Sequence, residues 1–224
     1  MSINFWTGDT IFSYLSSQAI VLIALVVAIS VHEFSHAFAA DKLGDPTARY
    51  QGRVTLNPLA HLDPIGTLMI LLVHFGWGKP VPFNPWNLKN PKQDSVIISL
   101  SGPAANLITA FFFAIILKIH LIAFLLSSDL FIGSFLGGLI NSLIILNVVL
   151  AVFNLIPVSP LDGFKVVGGI LPKDFSDQWL SLEKYGIIFL VILVLPINGS
   201  PLVGSFMSPI VSNILMLLKT IIGP

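Results

Sequence analysis

The sequence contains no cysteine, which excludes disulfides and thiolate metal sites and leaves the redox compartment open. Charge is scarce as well. Asp, Glu, Lys and Arg make up 10% of the 224 residues, where a soluble domain carries about 25%. The formal net charge is zero, so nothing points to a nucleic-acid partner. Residues 1–12 lack a basic n-region and a small-residue cleavage site, so the first apolar run is expected to be retained. Internal repeats and low-complexity tracts are also missing.

Apolar sequence is what abounds. Hydrophobic residues make up 55% of the chain and gather in the runs 11–29, 96–119, 131–156, 186–197 and 202–218, almost free of charge. A membrane span needs roughly 17–25 apolar residues; three runs meet that length and the last two reach it marginally. The pattern predicts an all-α polytopic membrane protein of five to six transmembrane helices, at about 10–42, 94–123, 131–156, 184–197 and 202–219. The short loops leave no room for a separate soluble domain, so residues 1–224 read as one membrane-embedded unit. Within 45–64, Tyr50, Gly52, Val54 and Leu56 alternate with Gln51, Arg53 and Thr55, which predicts a small membrane-associated β-hairpin. The apolar stretch 65–75 is too short to cross, so it dips in and returns or crosses part way. Four prolines in 76–91 predict an irregular loop.

The basic residues suggest an orientation. Lys42, Arg49, Arg53, Lys79, Lys89 and Lys92 all fall between the first span and the one starting near Asp94. Short cytoplasmic loops collect Lys and Arg, so both ends of that loop are expected in the cytoplasm. Five crossings plus one re-entrant element then place Asp129 and 198–201 outside, and Lys165, Lys173, Lys184 and Lys219 inside. Lys118 alone sits at the outer end, and the N-terminus, with no Lys or Arg in its first 41 residues, is outside.

Inside the first helix, His32-Glu33-Phe34-Ser35-His36 is an H-E-x-x-H motif. Positions i and i+4 share one helical face, so His32 and His36 can bind one Zn2+ through ring nitrogens at about 2.0–2.1 Å. Glu33 lies beside the metal, where it can take a proton from an activated water and pass it to a leaving amine. The plainer reading is a chance match or a pair of helix-packing histidines. Against it, an ionisable side chain within a membrane costs about 2.5–3.5 kcal/mol, and a metal would compensate for three at once. A catalytic zinc takes a third protein ligand, and the candidates are His61, His74, His120 and Asp162. His120 is expected at the outer end, far from His36. His61 and His74 lie in loops, where a solvated or capping histidine is the commoner case. Asp162 follows the long helix ending at Asn154-Leu155-Ile156-Pro157, at the membrane depth of His32 and His36. Taken alone, it reads as well as an N-cap for 163–170.

HEFSH at 32–36 with NLIPVSPLDG at 154–163 resembles the site-2 protease family of intramembrane zinc metalloproteases, which pairs H-E-x-x-H on one transmembrane helix with N-x-x-P…L-D-G on a later one. Residues 44–67 and SGPAANL at 101–107 also look like family segments, and the match covers about 21–167. The resemblance implies a catalytic core at about 10–170 followed by C-terminal helices at about 184–219. It implies that Asp162 is the third zinc ligand and that Asn154 faces the site and helps hold substrate or the oxyanion. The alternative for Asn154 is hydrogen-bonded glue between helices, which suits Asn147 equally. Gly163 would let the backbone turn Asp162 towards the metal. Many relatives add a PDZ or CBS domain, and nothing of that kind fits here; Phe164 stands where a second glycine is frequent.

Other features read as structural. Gly133 and Gly137 form a small-xxx-small pattern for helix packing. Gly102-Pro103 bends or starts a helix, and Trp77 and Trp86 suit interface anchors. Residues 49–56 read either as a lid or as an edge strand that pairs with unwound substrate. The expected activity is therefore intramembrane metalloproteolysis at one zinc per chain, with Glu33 catalytic, His32, His36 and Asp162 on the metal, Asn154 at the oxyanion, and a transmembrane protein as substrate within the lipid bilayer. A zinc transporter, a non-proteolytic zinc-binding protein or an inactive relative would be the competing classes.

Overall fold

The computed structural model describes residues 8–73, 76–119, 131–197 and 200–222. Helix α1 runs over Gly8–Lys42, with no proline or glycine between its first residue and Gly44. It stops where Gly44 adopts φ 109°, with Gly44 N bonded to Asp41 O and Asp45 N to Ala40 O. That pair of bonds is a Schellman cap, which only a residue tolerant of positive φ closes without strain. Helix α4 (Pro91–Lys118) starts with proline at its first position, where the missing N–H costs nothing. Helix α5 covers Phe131–Asn154 and α9 covers Leu202–Ile222.

The stretches Leu15–Lys42, Pro91–Lys118, Phe135–Asn154 and Leu202–Thr220 are long and apolar enough to cross a membrane. Only 6 to 39% of each apolar window is buried inside the molecule, so most of that surface faces outward. Ile108, Phe112, Phe206 and Leu217 are exposed. A surface of that kind calls for an apolar solvent, and the chain is a membrane protein. Helices α1, α4 and α5 pack against one another pairwise, and α9 packs on α4 and α5.

Among the described residues the expected count of five to six spans is not met, because 184–197 does not form one. Helix α7, Lys173–Leu180, and a 3-10 turn at Ser181–Tyr185 lead into α8, Gly186–Val194. Nine residues at 1.5 Å each reach about 14 Å, half the hydrocarbon thickness of about 30 Å. A ladder of two residues on each side, Pro196–Ile197 against Ser200–Pro201, then joins α8 to α9. Val203, Phe206 and Met207 at the start of α9 share an apolar cavity of about 520 Å³ with Ala151 and Val152 in the last turn of α5 and Leu155, Ile156, Pro157 and Val158 just beyond it. Leu218 near the end of α9 belongs to the cluster of Ala110, Ala114, Ile140 and Ile144. Helix α9 is therefore antiparallel to α5, and Lys219 lies at the same far end of the bundle as Lys118. The charge reading placed it with Lys165, Lys173 and Lys184. One lost crossing reverses everything that follows it.

The expected hairpin in 45–64 is absent too. Thr47–Tyr50 forms a helical turn, α2, Gly52 turns at φ 66°, and Pro58–Ala60 is a 3-10 turn. No strand forms across 49–56, so the strand-addition reading falls with the hairpin. The reason is Asp45. Its carboxylate, fully buried, accepts from Thr47 N (3.1 Å), Thr47 Oγ1 (2.5 Å), Asn84 N (2.6 Å) and Asn87 Nδ2 (2.7 Å). These bonds start a helical turn and tie it to the 84–87 loop, and local side-chain acceptors outcompete a ladder that has no partner strand. The short apolar stretch appears as α3, Pro64–Val73. The chain departs at Leu62 and comes back at Gly78, which pairs with Leu62 as an isolated antiparallel bridge.

Burial opposes the charge on Asp45, but hydrogen bonds from Asn87 and Thr47 and from the backbone of Asn84 and Thr47 outweigh it and hold the carboxyl below its usual 3.8. A lowered folded-state value stabilises at every pH above 3.8, and the contribution disappears as pH falls through the lowered value. Asp45→Asn should loosen the two loops by about 1–3 kcal/mol, read as at least about fivefold faster amide exchange in 45–53 and 84–88 near neutral pH. The gap from wild type should close only in strong acid.

Candidate metal centre

His32 and His36 lie one turn apart near the C-terminal end of α1, both buried. The turn 155–161 after α5 delivers Asp162 as the first residue of α6, Asp162–Ile170. Three distances define the site: His32 Nε2 to His36 Nε2 is 3.0 Å, His32 Nε2 to Asp162 Oδ2 is 3.1 Å, and His36 Nε2 to Asp162 Oδ2 is 3.2 Å. Bonds of 2.0–2.1 Å in a tetrahedron would separate ligands by about 3.3 Å, so the triangle is close to that of three zinc ligands. Asp162 makes no cap hydrogen bond, and the position before the helix belongs to Leu161. The cap reading is thereby set aside.

The other ring nitrogens say more. His36 Nδ1 lies 2.7 Å from the Ile98 carbonyl, which can only accept. His32 Nδ1 lies 2.6 Å from Asn106 Oδ1. Both rings therefore donate from Nδ1 and turn an Nε2 lone pair inward. Two ring nitrogens and a carboxylate oxygen converge, a donor set that fits a divalent cation.

Two glycines make the convergence possible. Gly102 lies in the middle of α4, and a Cβ there would come within 2.5 Å of His36 Nε2 and 2.7 Å of His32 Cε1. The sequence suggested a bend at Gly102-Pro103, but the position serves to admit two imidazoles. Gly163 has ordinary helical backbone; a Cβ would collide with the Leu155 and Ile156 carbonyls. Its task is close packing of α6 on the turn before it, rather than the free rotation expected.

Glu33, Asn154 and Lys165 line the same cavity of about 110 Å³, with Pro80, Val81 and Phe83 as its opposite wall. The Val81 N–H faces the Glu33 carboxylate. That wall is held from behind by buried Arg53, which donates to the Lys79 and Pro80 carbonyls. Lys165 sits with its ammonium 5.2 Å from the Phe83 ring centroid. Asn154 Nδ2 donates to Leu150 O at 3.0 Å. His61 is fully buried but stands outside the triangle, its Nε2 on the Thr55 carbonyl. His74 and His120 lie outside the described residues. Sequence reading missed Asn106, Arg53 and Lys165; only the SGPAANL stretch carried any sign of the first.

Among known proteins the chain is 39% identical over 218 residues to "Putative zinc metalloprotease YwhC" of Bacillus subtilis, covering 94% of this chain and 95% of that one. It is 28% identical over 197 residues to "Putative zinc metalloprotease Rip2" of Mycolicibacterium smegmatis, covering 84% of this chain and 72% of the relative. With "Zinc metalloprotease MJ0392" of Methanocaldococcus jannaschii it shares 28% over 158 residues, which is 70% of this chain and 36% of that protein. No family profile and no solved structure matches the chain. The likeness to YwhC along nearly the whole of both chains, joined to the motifs at 32–36 and 154–163, shows that the chain belongs to the site-2 protease family of zinc metalloproteases.

Proposed function

We propose that the protein is an intramembrane zinc endopeptidase that hydrolyses peptide bonds in or near transmembrane segments of other membrane proteins. The observation that carries this reading is the convergence of His32, His36 and Asp162 beside Glu33, with His32, Glu33 and His36 on a helix long and apolar enough to cross a membrane. His32, His36 and Asp162 hold one zinc ion. When bound, zinc supplies Lewis acidity to the scissile carbonyl and to the attacking water. Glu33, on the cavity wall one residue from His32, accepts the proton that water gives up and returns it to the leaving amine. Asn154 spends one amide N–H on Leu150 O; the other donates to the oxyanion as charge develops there. Substrate enters as unwound chain, because the carbonyls of an intact transmembrane helix are already bonded internally. The chain works as one membrane-embedded unit, multi-pass in the cell membrane.

Orientation follows from the bundle's charge. Lys42, Arg49, Arg53, Lys79, Lys89, Lys92, Lys165, Lys173 and Lys184 lie at the metal end, whereas only Lys118 and Lys219 lie at the other. With the bias that short cytoplasmic loops show, the metal end faces the cytoplasm. Both the start of α1 and the end of α9 then face outside.

Glu33→Gln should retain zinc and lose cleavage of a membrane-embedded substrate by at least about a hundredfold, the lower end of what a positioned acid–base group contributes. Wild-type rates from that variant would rule the mechanism out. The cysteine-free chain also allows the orientation to be measured. Lys89→Cys should be shielded from a membrane-impermeant maleimide in intact cells and Lys219→Cys should be labelled; the reverse pattern would invert the assignment.

A further inference from the structure

His32 offers a lone pair to the cavity only in one tautomer and one ring orientation, and which one is set by the bond its other nitrogen makes. That bond goes to Asn106 on α4. The hydrogen bonds around Asn106 run in one direction only. The Leu143 carbonyl can only accept, so Asn147 Nδ2 donates to it at 2.8 Å and Asn147 Oδ1 turns to Asn106. Asn106 Nδ2 donates to that oxygen at 2.8 Å and to the Ala28 carbonyl at 3.0 Å, which uses both of its N–H groups. Asn106 Oδ1 is then left facing His32 Nδ1 at 2.6 Å as a pure acceptor. Both amides are fully buried, and flipping Asn106 would bring its oxygen against two acceptors and its NH2 against the ring. Water cannot repair either contact.

We propose that Asn106, tied to Asn147, is the positioning residue that fixes His32 for metal binding. The inference rests on the metal reading above. Its consequence is that α5 serves the centre twice: its C-terminal end leads to Asp162, and Asn147, two turns earlier, orients His32 through α4. For His36 the Ile98 backbone carbonyl does the same task at 2.7 Å, with the Ser101 hydroxyl 3.4 Å from the same nitrogen.

The test is zinc affinity of the detergent-purified full chain, titrated against a competing chelator without substrate. Asn106→Leu keeps roughly the same volume and removes the acceptor. It should weaken zinc binding by about 10–100-fold, the usual effect of deleting a partner of a metal-bound histidine, and should shift the visible bands of the cobalt-substituted protein. Asn106→Asp keeps the acceptor towards His32 and, as the neutral acid, one O–H donor for the Ala28 carbonyl or Asn147 Oδ1 in place of the amide's two, and should lose less than Asn106→Leu. Asn147→Leu, which frees Asn106 to turn, should fall between the two. Zinc bound by Asn106→Leu within threefold of wild type would overturn the proposal. So would an Asn106→Asp variant as weak as Asn106→Leu, because packing rather than the acceptor would then matter. If Asn106→Leu does not fold, Asn147→Leu binding zinc more tightly than Asn106→Asp overturns it equally. A wild-type chain without zinc would sink the metal reading itself, whereas equal binding by wild type and Asn106→Leu sinks this inference alone.

Discussion

Two imidazole nitrogens and a carboxylate oxygen meet at 3.0–3.2 Å from one another, a convergence of donors that a divalent cation would hold together. The bundle is arranged around that convergence. His32 and His36 come from α1, so their spacing is guaranteed by one helical turn. Asp162 comes from a chain segment 126 residues beyond His36, and its arrival depends on α5 ending where it does and on the tight turn that follows. Helix α4 holds both groups in place: Gly102 admits the rings, and Ile98 and Asn106 hold their outer nitrogens.

The same placement would let the proposed chemistry proceed inside a membrane. Ionisable groups there are costly, and this site answers each one. The outer nitrogens of the histidines meet oxygen acceptors, and the carboxylate of Asp162 faces the two inner nitrogens. Glu33 faces the Val81 N–H across the small cavity. The opposite wall, 79–83, is irregular backbone at the edge of the bundle, tolerated because Arg53 beneath it takes two of its carbonyls and so leaves fewer unsatisfied polar groups.

Much of the metal site was legible in the sequence because it depends on local spacing. H-E-x-x-H names a helix face by itself, and Asp162 could be placed by membrane depth and by resemblance. Gly102 and Asn106 were not legible in that way. Their importance lies in what they meet on α1 and α5, and no spacing along α4 reveals it. In the fold, α1, α4 and α5 were readable as long apolar runs. The hairpin was not, because alternation in 49–56 says nothing of the four hydrogen bonds by which Asp45 curls the chain into a turn. Apolar character at 186–197 likewise predicted a crossing, since hydropathy measures solvent preference and not reach. Helix α8 is apolar and too short, and that single miscount carried Lys219 to the wrong end.

The most direct test of the central claim is the zinc coordination of the purified wild-type chain by X-ray absorption, set beside that of Asp162→Ala. The account predicts one zinc per chain with two imidazole nitrogens and at least one oxygen at about 2.0–2.2 Å, and a marked loss of metal in Asp162→Ala. Zinc held at full stoichiometry with an unchanged spectrum in Asp162→Ala would contradict it, because the third ligand would then come from elsewhere.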